Sequence, residues 1–92
     1  MIKSFSNKDL ENLYYGDGHG INPDHIKKLE RILDRLNQAK DVLKDMNSRN
    51  YRLHKLEPRT KERWSVDVNK NWRVTFIFKE ENAYEVDYWD TH

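Results

Sequence analysis

The strongest constraint on this fold lies in the last third of the chain, where side-chain character alternates with a period of two. Trp64, Val66 and Val68 are separated by Ser65 and Asp67, and Trp72, Val74, Phe76 and Phe78 by Arg73, Thr75 and Ile77. Successive residues of a strand point to opposite faces, so this pattern belongs to half-buried strands and not to a helix. Asn69-Lys70-Asn71 between the runs supplies a turn, which makes the pair an antiparallel hairpin. A second turn over Lys79 to Asn82 leads into Tyr84, Val86 and Tyr88, interleaved with Ala83, Glu85, Asp87 and Trp89, and predicts a third antiparallel strand. Tyr51 to Leu56 is a candidate for one more.

A sheet with one apolar face needs cover, and the first half of the chain supplies it. Asn22-Pro23-Asp24 combines a side chain that caps a helix, a proline suited to its first turn and an acid that complements its dipole. Ile26, Leu29, Ile32, Leu33, Leu36 and Ala39 follow at steps of three and four, an apolar stripe with Lys27, Lys28, Arg31, Asp34 and Arg35 outside it. Asp41 caps a second short helix through Val42, Leu43 and Met46, and Asp9 to Tyr15 forms another with Leu10, Leu13 and Tyr14. Gly16-Asp17-Gly18-His19-Gly20 holds all three glycines; with no lysine or serine at phosphate-loop spacing behind it, it is a connector. The expected class is α+β, a single domain over residues 1–92 with two to three helices on one face of a mostly antiparallel sheet.

Composition narrows the function. In 92 residues, 36% hydrophobic and 36% charged, one core exhausts the apolar side chains. No cysteine is present, which removes disulfides and thiolate metal sites. No apolar run has the length of a signal peptide or membrane span, so the expected location is cytoplasmic. The net charge of +1 hides a division along the chain. From Met46 to Arg73, Arg49, Arg52, Lys55, Arg59, Lys61, Arg63, Lys70 and Arg73 face only Glu57, Glu62 and Asp67; beyond Val74, Lys79 stands against Glu80, Glu81, Glu85, Asp87 and Asp90.

The parity of the hairpin bears on chemistry. With tryptophans, valines and phenylalanines turned to the helices, Arg73 and Thr75 point the other way. On spacing alone Arg73 is expected to pair with Glu85 or Asp87 on the neighbouring strand. His92 is the final residue, and a strand running nearly to it brings Asp90 and His92 into one site with the proton-transfer properties of a general acid and base. His54, among basic residues, reads equally as a strand-edge histidine or a phosphate contact. His19, His25, His54 and His92 lie in separate segments, so neither a metal nor another cofactor is expected. No serine stands in a nucleophile elbow. RNA needs none of these, because its own 2′-hydroxyl attacks the adjacent phosphate and leaves the protein to move protons and stabilise charge.

Tyr51-Arg52-Leu53-His54, Trp64-Ser65-Val66, Asn71-Trp72-Arg73-Val74-Thr75-Phe76, and Ala83-Tyr84 through Asp87-Tyr88-Trp89-Asp90-Thr91-His92, with the opening Met1-Ile2-Lys3-Ser4-Phe5, resemble the HigB type of RelE-like toxins. The resemblance implies a RelE-like fold and a ribosome-dependent mRNA endonuclease, neutralised by a HigA-like helix-turn-helix antitoxin and working without cofactor, metal or membrane. By the same resemblance Arg73 stabilises the phosphate transition state, and Asp90 and His92 orient and exchange protons with the RNA. His54, Lys55, Arg59, Lys61 and Arg63 meet ribosomal RNA or message, as cations that position a backbone without reading bases. Two positions depart from the pattern. Glu57 stands where the family has a lysine, for which Lys55, Arg59 or Lys61 is a candidate replacement, and Thr91 where it has an aromatic residue able to stack on a base, for which Trp89, two residues earlier, is a candidate substitute. These departures motivate an alternative, a toxin-fold module that binds an antitoxin or the ribosome without cutting. A general nucleic-acid binder is a third, disfavoured by the near-neutral charge.

Overall fold

The computed structural model describes residues 1–56 and 63–91. Among these residues three helices, α1 (Lys8–Tyr14), α2 (Pro23–Gln38) and α3 (Val42–Asp45), precede four strands, β1 (His54–Lys55), β2 (Arg63–Asp67), β3 (Trp72–Lys79) and β4 (Asn82–Asp90). Each helix begins where a side chain replaces a missing backbone partner. Asn7 accepts from the Leu10 amide, Asn22 from Asp24, and Asp41 from Leu43 and Lys44. The strands pair antiparallel in the order β1-β2-β3-β4, giving the expected α+β arrangement.

The buried side of α2, Leu29, Ile32, Leu33 and Leu36, joins Leu10, Met46, Val66, Val74, Phe76 and Val86 in one core, each at most 1% exposed. At about 1.5–3 kcal/mol for each fully buried aliphatic or aromatic side chain, this cluster is the main term holding helices to sheet. His25 lies on the same stripe, four residues before Leu29, and is 5% exposed. Among the described residues no helix is long and apolar enough to cross a membrane.

Two features depart from the sequence expectation. The segment before α1 docks as a parallel edge on β4 through bridges Ile2–Ala83 and Phe5–Val86, with the Lys3 amide donating to Ala83 at 2.7 Å and Ser6 to Val86 at 2.8 Å. Only Ile2 and Phe5 mark it in sequence, too few for a period to show. The second is in β4. Tyr84, expected beside Val86 and Tyr88 on the core face, is half-buried, and Ala83 is fully buried in its place. Pairing runs Thr75 with Asp87 but Ile77 with Tyr84, so an extra residue bulges opposite Phe76; Glu85, at φ 52°, absorbs it. A bulge reverses facing, and alternation read across one is wrong on one side of it.

Candidate active site

Strand register sorts the candidate residues onto two faces. Rows His54–Ser65–Thr75–Asp87 and Asp67–Arg73–Trp89 project from the outer face, away from the helices. The alternate row through Trp72 and Tyr88 carries Asp90 on the helix side, across from Trp72. Arg73 and Asp90 therefore leave the end of the sheet on opposite faces, Trp89 standing across from Arg73 and next to Asp90 along β4.

Arg73 is clamped. Its Nη1 donates to Asp67 Oδ1 at 2.8 Å, and Arg52 Nε stands 3.6 Å from Asp67 Oδ2, so one carboxylate, 12% exposed, holds two guanidinium groups. The expected pairing of Arg73 with Glu85 or Asp87 is not formed. Trp89, not an acid, lies across from Arg73 on β4, and the bulge sends Glu85 to Arg63 instead, at 2.7 Å. The sequence does carry a signal for Asp67. It and Arg73 are equidistant from Lys70 at the centre of the turn, which makes them cross-strand neighbours.

His54 is exposed on β1, and its Nδ1–H donates to the Arg52 carbonyl at 3.0 Å. Lys55 pairs with Trp64 on the other face, its Nζ 5.8 Å from the indole ring, and does not join His54 and Arg63. Arg59, Lys61 and His92, along with Glu57, lie outside the described residues. Among the described residues no three histidines, aspartates or glutamates gather as a metal ion requires. Between the arginines the outer face is lined by hydroxyls. Thr75, 2% exposed, accepts from Trp89 Nε1 at 3.1 Å, and Ser65 is fully buried, its hydroxyl without a hydrogen-bond partner among the described residues.

The end of β4 is held from behind. The Thr91 amide and hydroxyl both donate to the Asn71 carbonyl, at 2.8 and 2.9 Å. Asn69 Oδ1 shapes that loop by accepting from the Asn71 and Trp72 amides, each at 2.9 Å, while its Nδ2 donates to His25 Nε2 at 2.9 Å. His25 then carries its proton on Nδ1 and donates it to the Tyr88 hydroxyl. Trp72 stacks on Tyr88 with centroids 4.6 Å apart, closing the cluster. Burial, then the negative charge of Asp90, pushes the Tyr88 hydroxyl up to about 12. Spacing from Leu29 puts His25 on the buried stripe, but its partners Asn69 and Tyr88 stand 44 and 63 positions away, beyond the reach of any local pattern.

Comparison with known proteins bears on this arrangement. Residues 3–92 match the family model of the RelE-like toxin of type II toxin-antitoxin system HigB. The chain is also 38% identical, over 96 aligned positions that cover all of both sequences, to the Endoribonuclease HigB of Proteus vulgaris. With an antiparallel sheet backed by helices and a match over almost its whole length, the chain belongs to the HigB-like toxins of the RelE-like family.

Proposed function

We propose that this protein is the toxin of a type II toxin-antitoxin system and an endoribonuclease that cuts messenger RNA on the ribosome. In this reading it acts in the cytoplasm and is held inactive by a HigA-like helix-turn-helix antitoxin. The observation that carries the proposal is Arg73, fixed on the outer face by Asp67, which also holds Arg52, one strand position from the end of the sheet where Asp90 emerges on the other face. Similarity to an endoribonuclease over the full length supports the same chemistry.

The reaction needs few groups. The RNA 2′-hydroxyl loses its proton and attacks the neighbouring phosphorus, the bond to the 5′-oxygen breaks, and that oxygen takes up a proton. Products are a 2′,3′-cyclic phosphate and a 5′-hydroxyl. Because the nucleophile belongs to the substrate, no metal-bound water is called for. Arg73 meets the charge that grows on the phosphate oxygens, and Asp90 with His92 exchange the two protons. His54 and Arg63 from the outer face, Lys55 from the other face, and Arg59 and Lys61 hold the RNA backbone or ribosomal RNA.

Cleavage by the purified protein on ribosomes programmed with a defined message tests this. Arg73→Ala and Asp90→Asn should each slow cleavage about a hundredfold or more, with cyclic phosphate on the upstream product. Undiminished cleavage by both variants would remove the assignment. One observation favours a second reading, a module that binds antitoxin or ribosome without cutting. The Thr91 hydroxyl donates its proton to the Asn71 carbonyl, and the residue has no ring to stack on a base. Ribosome binding without any cut message would establish that alternative.

A further inference from the structure

Trp89 is the aromatic side chain beside Arg73 on the outer face, and the proposed chemistry leaves it unused. It is 40% exposed and presents apolar ring surface to solvent. Its orientation is fixed. The indole N–H donates to Thr75 Oγ1, itself 2% exposed, so the ring is held by its polar edge to the neighbouring strand. Arg73 stands directly across from Trp89 in the β3–β4 register, and Asp67 anchors Arg73 in turn. A rigid, part-exposed π-surface beside a guanidinium is the pair of groups that grips one nucleotide, the ring taking the base and the cation its phosphate.

We infer that Trp89 is the stacking platform for a nucleobase of the bound RNA, next to the phosphate held at Arg73. The inference rests on the proposed RNA-cutting function and adds the contact that recognises the substrate. An aromatic ring binds any base by its face, so the platform gives affinity and placement with little choice of sequence. Pinning the indole beforehand lowers the ordering cost on binding. The platform also supplies what Thr91 lacks.

Two substitutions separate stacking from structure. Trp89→Ala removes ring and N–H, whereas Trp89→Phe keeps an aromatic face and loses the same hydrogen bond to Thr75. On programmed ribosomes, Trp89→Ala should raise the toxin concentration for half-maximal cleavage about tenfold or more with little change in the saturating rate, and Trp89→Phe should stay within about threefold of wild type. A message with an abasic nucleotide at the stacked position should weaken wild type by a similar factor and leave Trp89→Ala unaffected. Equal behaviour of wild type and Trp89→Ala, or a loss as large in Trp89→Phe as in Trp89→Ala, overturns the inference. Cleavage failing altogether in the wild type sinks the proposed function alone. Affinity for a short 2′-O-methyl oligonucleotide at low salt then decides the platform, the same order of variants supporting it and equal affinities refuting it.

Discussion

Removing one oxygen atom from the cluster behind β4 should destabilise the protein by more than a lost surface hydrogen bond. Tyr88→Phe keeps the ring that stacks on Trp72 and deletes the hydroxyl that His25 Nδ1–H donates to. The imidazole is 5% exposed and Tyr88 6%, so water does not replace the partner, and the cost is that of an orphaned buried donor, about 1–3 kcal/mol. His25→Phe orphans the Tyr88 hydroxyl instead, at a comparable cost; the Asn69 amide it also frees is exposed enough to be hydrated. With both substitutions no unpaired group remains, and the double variant should be more stable than the sum of the two losses by about 1–2 kcal/mol. Urea unfolding at neutral pH reads this as midpoint shifts of about 1–2 M for a single loss near 2 kcal/mol. Strict additivity would show that the hydrogen bond does not hold the cluster.

Alkaline pH provides a second test of the same pair. The folded protein keeps the Tyr88 proton to about 12, whereas an unfolded tyrosine loses it near its ordinary value of 10.0. Stability from this group is therefore complete below about pH 10 and is lost as pH climbs to about 12, amounting to roughly 2–3 kcal/mol. Tyr88→Phe lacks the group, so its deficit relative to wild type should close across that window. A constant deficit from pH 10 to 12 would refute burial beside Asp90 as the origin of the raised value.

Two further substitutions test the backbone. Glu80 and Glu81 occupy the β3–β4 turn at φ 50° and 66°, a conformation that favours asparagine and glycine, so Glu80→Asn with Glu81→Gly should stabilise by about 1 kcal/mol and raise the Tm by about 4–8 °C. The exposed pair of Lys40 and Glu81, 3.7 Å apart, is too solvated to offset this. Gly20 has φ +99°, and a Cβ there would lie 2.9 Å from the Asp9 carboxylate carbon, so Gly20→Ala should lower stability by about 1–2 kcal/mol in a thermal melt. An unchanged melt would show that the loop relaxes freely.

Local rules make most of the fold legible without coordinates. The Asn22-Pro23-Asp24 start, the Leu29-to-Leu36 stripe and the alternation from Trp64 to Phe78 are signals carried by neighbouring residues, and each element forms where those signals stand. The bulge at Glu85 is hidden because it depends on how β4 fits β3, and the docking of Ile2 and Phe5 because its partners lie some eighty positions away. At the site, hairpin parity correctly sends Arg73 to the outer face. Its partner is Asp67 on the preceding strand and not an acid on the following one, because turn symmetry sets Asp67 opposite Arg73 while the register of β4 sets Trp89 there. The separation of Arg73 from Asp90 onto opposite faces follows from the same alternation applied through Trp89.

Charge pairing on the outer face determines how RNA is held there in the proposed reaction. Arg52 and Arg73 share Asp67, and Arg63 is bound by Glu85, so these three arginines meet an arriving phosphate already partly neutralised. Such a surface gains less from released counterions than a groove of free cations, and with a net charge of +1 the chain has little long-range attraction for polyanions. In the proposed reaction affinity then draws on the base proposed to stack on Trp89 and on a larger body that presents the message, which cutting on the ribosome would provide. The same pairing favours the transition state. In the ground state Asp67 competes with the phosphate for Arg73, but as negative charge builds on the oxygens during attack the guanidinium interacts more strongly with them. The interaction grows with the reaction and does not saturate on binding, which is the condition for raising the rate of cleavage and not merely the occupancy of the site.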